Sequence, residues 1–229
     1  MNLAAVIFDF YGTLVDDFDL SVGRTHMDFV KALDVAEESF RKLWRETTDM
    51  RVSGAFQTVE ASIEYVANLL GARLPKSQLS RAVNMRLKMI RRTLHPKPDA
   101  LETLARLKEE GYKIGLLSNC SIEIPILWPE TAFADRFDSL IFSSRERLKK
   151  PDLAIYYLAC ERLGVAPEQC LYIADGENYE LAAAAKVGLH PLLIRNSAQN
   201  ITRELHREAR EWQGEAVTEL TGALHLLKR

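Results

Sequence analysis

Val6-Ile7-Phe8-Asp9-Phe10-Tyr11-Gly12-Thr13-Leu14-Val15 is an apolar run that breaks into an aspartate and then a glycine. The run over residues 3–10 predicts a buried strand. Parallel α/β sheets bind their ligands beyond the carboxyl ends of the strands, so Asp9 stands where chemistry is expected. Gly12 permits a tight turn directly afterwards. An acidic residue at a strand end also serves as a helix cap or a solvated turn. The rest of the chain has to separate these readings.

Four further apolar runs, at residues 113–118, 139–142, 171–174 and 191–194, also read as strands. None alternates strictly, which is the pattern of parallel strands covered on both faces. Helical patterns separate these four. Residues 99–110 open on Asp99-x-x-Glu102, similar to a capping box, and stop at Gly111. Residues 151–163 stop at Gly164, and residues 178–187 stop at Gly188. This alternation predicts an α/β fold with a doubly wound, Rossmann-like parallel-sheet core.

Residues 16–94 break the rhythm and contain no strand pattern. Phe40, Leu43, Trp44 and Thr47 form one helical stripe, and Val59, Ile63, Val66 and Leu70 a second. Leu79, Val83, Leu87, Ile90 and Leu94 form a third. The expected organisation is a core domain of residues 1–15 and 96–229 with a helical cap domain, residues 16–95, inserted. Asp16-Asp17 and His95-Pro96-Lys97-Pro98 are the expected hinges, since residues before proline leave the helical region.

With 229 residues the chain has room for one large domain, or a core with a smaller insert. Its hydrophobic content of 47% suffices for a packed core, and its net charge of −2 gives no electrostatic case for nucleic acid or an anionic membrane. No apolar run approaches the ~18 residues of a membrane span. Met1-Asn2-Leu3 passes straight into the first strand pattern, without the basic region or cleavage site of a signal peptide. Cys120, Cys160 and Cys170 are odd in number and lack CxxC spacing, which fits a reducing compartment and neither a disulfide framework nor a zinc site. A cytoplasmic monomer or homodimer acting on a small anionic molecule is expected.

The strand ends supply the chemistry. The second strand ends in Ser118-Asn119, the loop after the third leads to Lys150-Pro151-Asp152, and the fourth ends in Asp175-Gly176-Glu177-Asn178-Tyr179-Glu180. Folded together, these groups surround one point. A carboxylate nucleophile needs a nearby cation to stay ionised and to hold an anionic substrate, and Lys150 supplies one. Ser118 can donate to a substrate oxygen. Asp175 can share a magnesium ion with Asp9, because hard cations favour carboxylate oxygens.

Asp-x-x-Gly-Thr-Leu, Ser-Asn, Lys-Pro-Asp and a final Asp after a strand, in this order, resemble the four motifs of the haloacid dehalogenase-like superfamily. The resemblance covers nearly the whole chain, and the helical insertion is similar to the cap of many members. It implies a nucleophile at Asp9, with Thr13 and Ser118 orienting substrate oxygens and Asn119 beside them. It implies an anchoring lysine at Lys150 and a Mg2+ site at Asp9, Asp175 and the backbone carbonyl of Tyr11.

One departure matters. Phosphatases of this family carry a second aspartate where this chain has Tyr11, and Asp-x-Tyr-Gly-Thr-Leu looks like the family's 2-haloacid dehalogenases. Leu43-Trp44-Arg45 also resembles a dehalogenase cap segment whose arginine holds substrate, and Arg51 is a second candidate anion clamp. Against this, dehalogenases use no metal and start the fourth motif with Ser, where this chain has Asp175. The preferred expectation is a Mg2+-dependent phosphatase. A 2-haloacid dehalogenase is the alternative, and a catalytically silent binding protein a third. Among bland readings, Cys120 is expected to be a passive loop residue, His95 structural, Glu177 a helix cap or a residue that approaches the metal, and residues 86–92 a solvated helix face.

Overall fold

A computed structural model describes residues 2–17, 23–195 and 207–227, so residues 18–22 of the expected cap lie outside it. Strand β1 spans Ala5–Phe8. A 3-10 segment, Gly23–Ala32, opens the insertion. It continues as α1 (Glu37–Glu46), α2 (Thr48–Val52), α3 (Val59–Leu69) and α4 (Lys76–Arg91). The chain then runs α5 (Ala100–Glu109), β2 (Lys113–Ser118), α6 (Glu123–Leu127), β3 (Ser139–Phe142), α7 (Ser143–Glu146) and α8 (Leu153–Leu163). It closes with β4 (Cys170–Ala174), α9 (Glu180–Val187), β5 (His190–Ile194), α10 (Arg207–Glu211), β6 (Ala216–Val217) and α11 (Gly222–Leu226).

The strands form one parallel sheet in the order β3-β2-β1-β4-β5-β6. Every side chain of β1 is fully buried, which explains its unbroken apolar sequence. Val6 and Phe8 pack on one face with Leu104 and Leu107 of α5. Ala5 and Ile7 pack on the other with Ile155, Tyr156 and Leu163 of α8. The order reverses at β1, where Phe8 pairs with Leu116 on one side and Ile173 on the other. That switch point brings the ends of β1, β2 and β4 to one crevice.

The stripes read from the insertion converge on a separate apolar cluster containing Phe40, Trp44, Val59, Ile63, Val66, Leu79 and Val83. Helix α4 joins the two parts, because its Ile90 packs into the cluster on the sheet. The segment leaves and returns at one place: Val15 forms an antiparallel bridge with Pro96, and the Lys97 N–H donates to the Leu14 carbonyl at 2.9 Å.

Several expectations need correction. β1 is shorter than residues 3–10, and β6 had no apolar run long enough to mark it. Asp99 does not cap α5. Its carboxylate accepts from the Thr221 N–H at 3.1 Å, which ties α5 to the turn before α11. Helix α8 starts at Leu153, two residues late, with Asp152 accepting from the Ala154 N–H at 3.0 Å. Helix α9 starts at Glu180 because Asn178 (φ 52°) and Tyr179 (φ 60°) are left-handed. Residues 86–92 are not a uniformly solvated face, since Arg86 is buried and its Nε donates to Glu123 Oε1 at 2.8 Å. Among the described residues no helix is long and apolar enough to cross a membrane.

Candidate active site

The loop after β1 is built around Asp9. Its N–H continues the sheet by donating to the Ile173 carbonyl at 2.9 Å, and Leu14 closes the turn onto the Phe10 carbonyl at 2.8 Å. Gly12 has φ 76°, and a Cβ there would lie 2.0 Å from Asp175 Oδ2, so only glycine lets β4 deliver that carboxylate beneath the loop. The Thr13 hydroxyl donates to Asp9 Oδ2 at 3.0 Å. Lys150 Nζ donates to Asp9 Oδ1 at 2.6 Å, to Glu180 Oε2 at 2.5 Å and to the Tyr172 hydroxyl at 3.1 Å. Tyr172 in turn donates to Glu180 Oε2 at 2.7 Å.

Asp9, Asp175 and Glu180 each offer an oxygen, all within 4.8 Å of one another, and all three residues are buried. Burial pushes the Asp9 carboxyl up, Lys150 pulls it down and Asp175 pushes it up again, leaving it above the usual carboxylate range. Burial drives Glu180 well above that range, with Lys150 opposing and Asp9 and Asp175 adding. Burial alone would lower the Lys150 ammonium, but Asp9 and Glu180 outweigh it and hold the lysine charged.

A cavity of about 690 Å³ opens above this cluster, lined on the sheet side by Asp9, Tyr11, Ser118, Asn119, Lys150 and Glu180, and on the insertion side by Trp44, Arg45, Arg51 and Arg86. Of the expected residues, Asp9, Thr13, Ser118, Asn119, Lys150 and Asp175 come together. Asn119 is turned to Lys150: its Nδ2 donates to the Lys150 carbonyl at 2.9 Å, and its Oδ1 accepts the Lys150 N–H at 2.8 Å. The Tyr11 hydroxyl bonds the Thr93 hydroxyl at 2.8 Å. Arg45 is exposed at the rim, whereas Arg51 is buried. Cys120 is a buried wall residue whose thiol is pushed up to about 12, first by burial, so it stays protonated at neutral pH. The Glu177 N–H donates to Asp175 Oδ1 at 3.2 Å and to Glu180 Oε1 at 3.1 Å.

Tyr172, Lys97 and Arg86 carried no sign of a site role in the sequence, and Glu180 was legible only as a later acid of the fourth motif that could supply a proton. Lys97, read as part of a hinge, donates from Nζ to the Gly12 carbonyl at 2.5 Å.

Such a sheet, with a lysine-paired aspartate at its switch point under a cavity, has the build of a Rossmann-like α/β protein with its site at the strand ends. The chain belongs to the haloacid dehalogenase-like hydrolases, whose family model matches residues 3–188. Relatives include (S)-2-haloacid dehalogenase 4A of Burkholderia cepacia, 28% identical over 84% of this chain and 83% of that one. Another is glyceraldehyde 3-phosphate phosphatase of Pyrococcus furiosus, 29% identical over 58% of this chain and 54% of that one. A dehalogenase crystal structure superposes with a TM-score of 0.63 at 24% identity, covering 99% of this chain and 98% of that one.

Proposed function

We propose that the chain is a Mg2+-dependent phosphatase of a small phosphorylated metabolite, with Asp9 as covalent nucleophile. The observation that carries this reading is the buried cluster of Asp9, Asp175 and Glu180. Three carboxyl groups converge beside Lys150 and Lys97, and their hard oxygen donors suit a magnesium ion. Asp9, Asp175 and the Tyr11 carbonyl would hold it. When bound, the ion polarises the phosphoryl group and offsets the charge between the two aspartates.

In this reading an Asp9 oxygen forms a bond to phosphorus while the bond to the leaving oxygen breaks, and the leaving group departs with the electron pair. Water then attacks phosphorus and releases inorganic phosphate, restoring Asp9. Thr13 and Lys150 hold one Asp9 oxygen each, which fixes the carboxylate plane. Asn119 positions Lys150 through its backbone. Ser118 donates to a substrate oxygen. Residues 16–95 act as a cap domain over a core of residues 1–15 and 96–229, a division supported by the Val15–Pro96 bridge. The protein works in the cytoplasm as a monomer or homodimer.

A second reading has its own support. Tyr11 replaces the aspartate that protonates leaving alcohols, and the dehalogenase relative matches over more of the chain than the phosphatase does. There Asp9 attacks the halogen-bearing carbon and halide leaves. A turnover screen of acyl phosphates, phosphate esters and 2-haloacids, each with magnesium and with chelator, separates the two. Chelator-sensitive release of phosphate supports the first, chelator-insensitive release of halide the second, and no turnover of any class a silent binding protein. Asp9→Asn is expected to fold and to lose several orders of magnitude in rate on whichever substrate is found. Near wild-type rates in that variant would sink both catalytic readings.

A further inference from the structure

The cavity has two ends of opposite sign. Its floor carries the carboxylates around Lys150, and its far wall, on the insertion, carries Trp44, Arg51 and Arg86. Arg86 is matched by Glu123 at 2.8 Å. Arg51 is matched by no acid among the described residues. Its Nη1 and Nη2 donate to the hydroxyls of Thr47 and Thr48, each at 2.9 Å, and its guanidinium lies 3.9 Å from the centre of the Trp44 ring. It is only 6% exposed.

A buried cation without a counter-ion is costly, and such a group tends to find a partner or surrender its charge. Burial and the repulsion of Arg86, partly opposed by the pull of Glu123, which is itself paired to Arg86, bring Arg51 down to about 9, still charged at neutral pH. The two hydroxyls and the indole face meanwhile fix the plane of the guanidinium. A fixed planar fork with unsatisfied charge matches a carboxylate, and it is already ordered before anything binds. Arg45, exposed to solvent and screened by it, has neither property.

We propose that Arg51 is a carboxylate subsite distinct from the reacting centre at Asp9, so that the substrate carries a carboxylate at the end remote from the group Asp9 attacks. Resting on the phosphatase reading for that reacting group, this makes the substrate class a phosphorylated carboxylic acid.

Calorimetric titration of the full chain with phenylacetate and with phenylacetamide reads the subsite without any turnover. Wild type should bind the acid about tenfold or more tightly than the amide. Arg51→Gln should remove that preference, and Arg51→Lys, which keeps the charge and loses the fork, should retain part of it. In turnover, an aryl phosphate with a distal carboxylate should exceed its amide counterpart in kcat/KM, chiefly through KM, and Arg51→Gln should erase the difference. Relieved of an unmatched buried charge, Arg51→Gln should melt at or above the wild-type temperature. Equal binding of acid and amide by wild type, a preference that survives Arg51→Gln, or a Tm well below wild type would overturn the subsite. A carboxylate preference in the titration with no turnover of any phosphate ester keeps the subsite and removes the phosphatase reading instead.

Discussion

In the proposed phosphatase reading Tyr11 stands where an acid would protonate a departing alcohol, and its hydroxyl is turned to Thr93. Thr93 gives its own hydroxyl hydrogen to the Ile90 carbonyl at 2.8 Å, so Tyr11 is the donor in the 2.8 Å bond between the two hydroxyls. Burial also pushes the phenol above its ordinary value of 10.0. A positioned general acid contributes ~10²–10⁴-fold in rate. Tyr11→Phe is therefore expected to lose far less than that on an alkyl phosphate, whose alkoxide needs a proton to leave, and about 1 kcal/mol of stability in urea denaturation. A hundredfold rate loss would make Tyr11 a proton donor after all. Asp9 and Thr13 were legible because one short motif holds both. The anchor of Tyr11 was not, because Thr93 lies at the far end of the insertion, and only folding brings it back. Tyr172 was hidden for a related reason: inside an apolar strand it reads as core, and its hydroxyl matters only once Lys150 and Glu180 arrive.

Helices α4 and α6 meet through a buried ion pair that no periodicity could reveal. Arg86 sits among basic and apolar residues, so its own segment reads as a solvated face, and its partner Glu123 opens the short helix α6 after β2. The Glu123 carboxyl is fully enclosed; burial raises it, but Arg86, together with a Ser121 hydrogen bond and the backbone, holds it below its ordinary 4.5. Arg86→Ala should cost about 3–5 kcal/mol, because it strands a buried carboxylate. The pH dependence fixes the sign. In wild type, a depressed carboxyl contributes stability above its unfolded pKa, and that contribution is lost as pH falls through the lower folded value. In Arg86→Ala, burial is opposed only by the Ser121 and backbone hydrogen bonds, so the neutral acid is favoured relative to wild type and acidification costs less. The stability gap between the two proteins should shrink as pH is lowered from about 7 to 4. A gap that is constant or widens would show that Glu123 does not depend on Arg86. The three amphipathic stripes of the insertion were readable because each buries one helical face. The 3-10 segment Gly23–Ala32 offered no such repeat, although its Phe29 packs edge-on to Trp44 at 5.0 Å.

Around the cavity, charge is segregated: carboxyl groups gather at the sheet end, and Arg51 and Arg86 line the insertion end. The parallel α/β core was legible because buried parallel strands leave continuous apolar runs; the strand order was not, since pairing is decided only when the runs pack. Nor was the polarity of the cavity, since it depends on which charged residues the packing buries. That polarity yields a test of the metal that does not need the substrate. Two buried aspartates and Glu180 crowd one site, with Lys150 bonded to Asp9 and Glu180. Removing one charge there should relieve repulsion, whereas adding a divalent cation should relieve more of it. Magnesium at roughly a hundredfold excess over its Kd should stabilise the wild-type chain by about 2.7 kcal/mol, seen as a raised Tm. Asp175→Asn, which keeps the shape and removes the charge, should melt at or above metal-free wild type and show almost no further rise with magnesium. Calcium is a useful contrast, since it prefers more ligands and longer bonds than this compact oxygen set offers, and its effect should be smaller. If magnesium leaves Tm unchanged and chelator leaves turnover intact, the acids serve Lys150 alone. The dehalogenase reading then becomes the better account of the site.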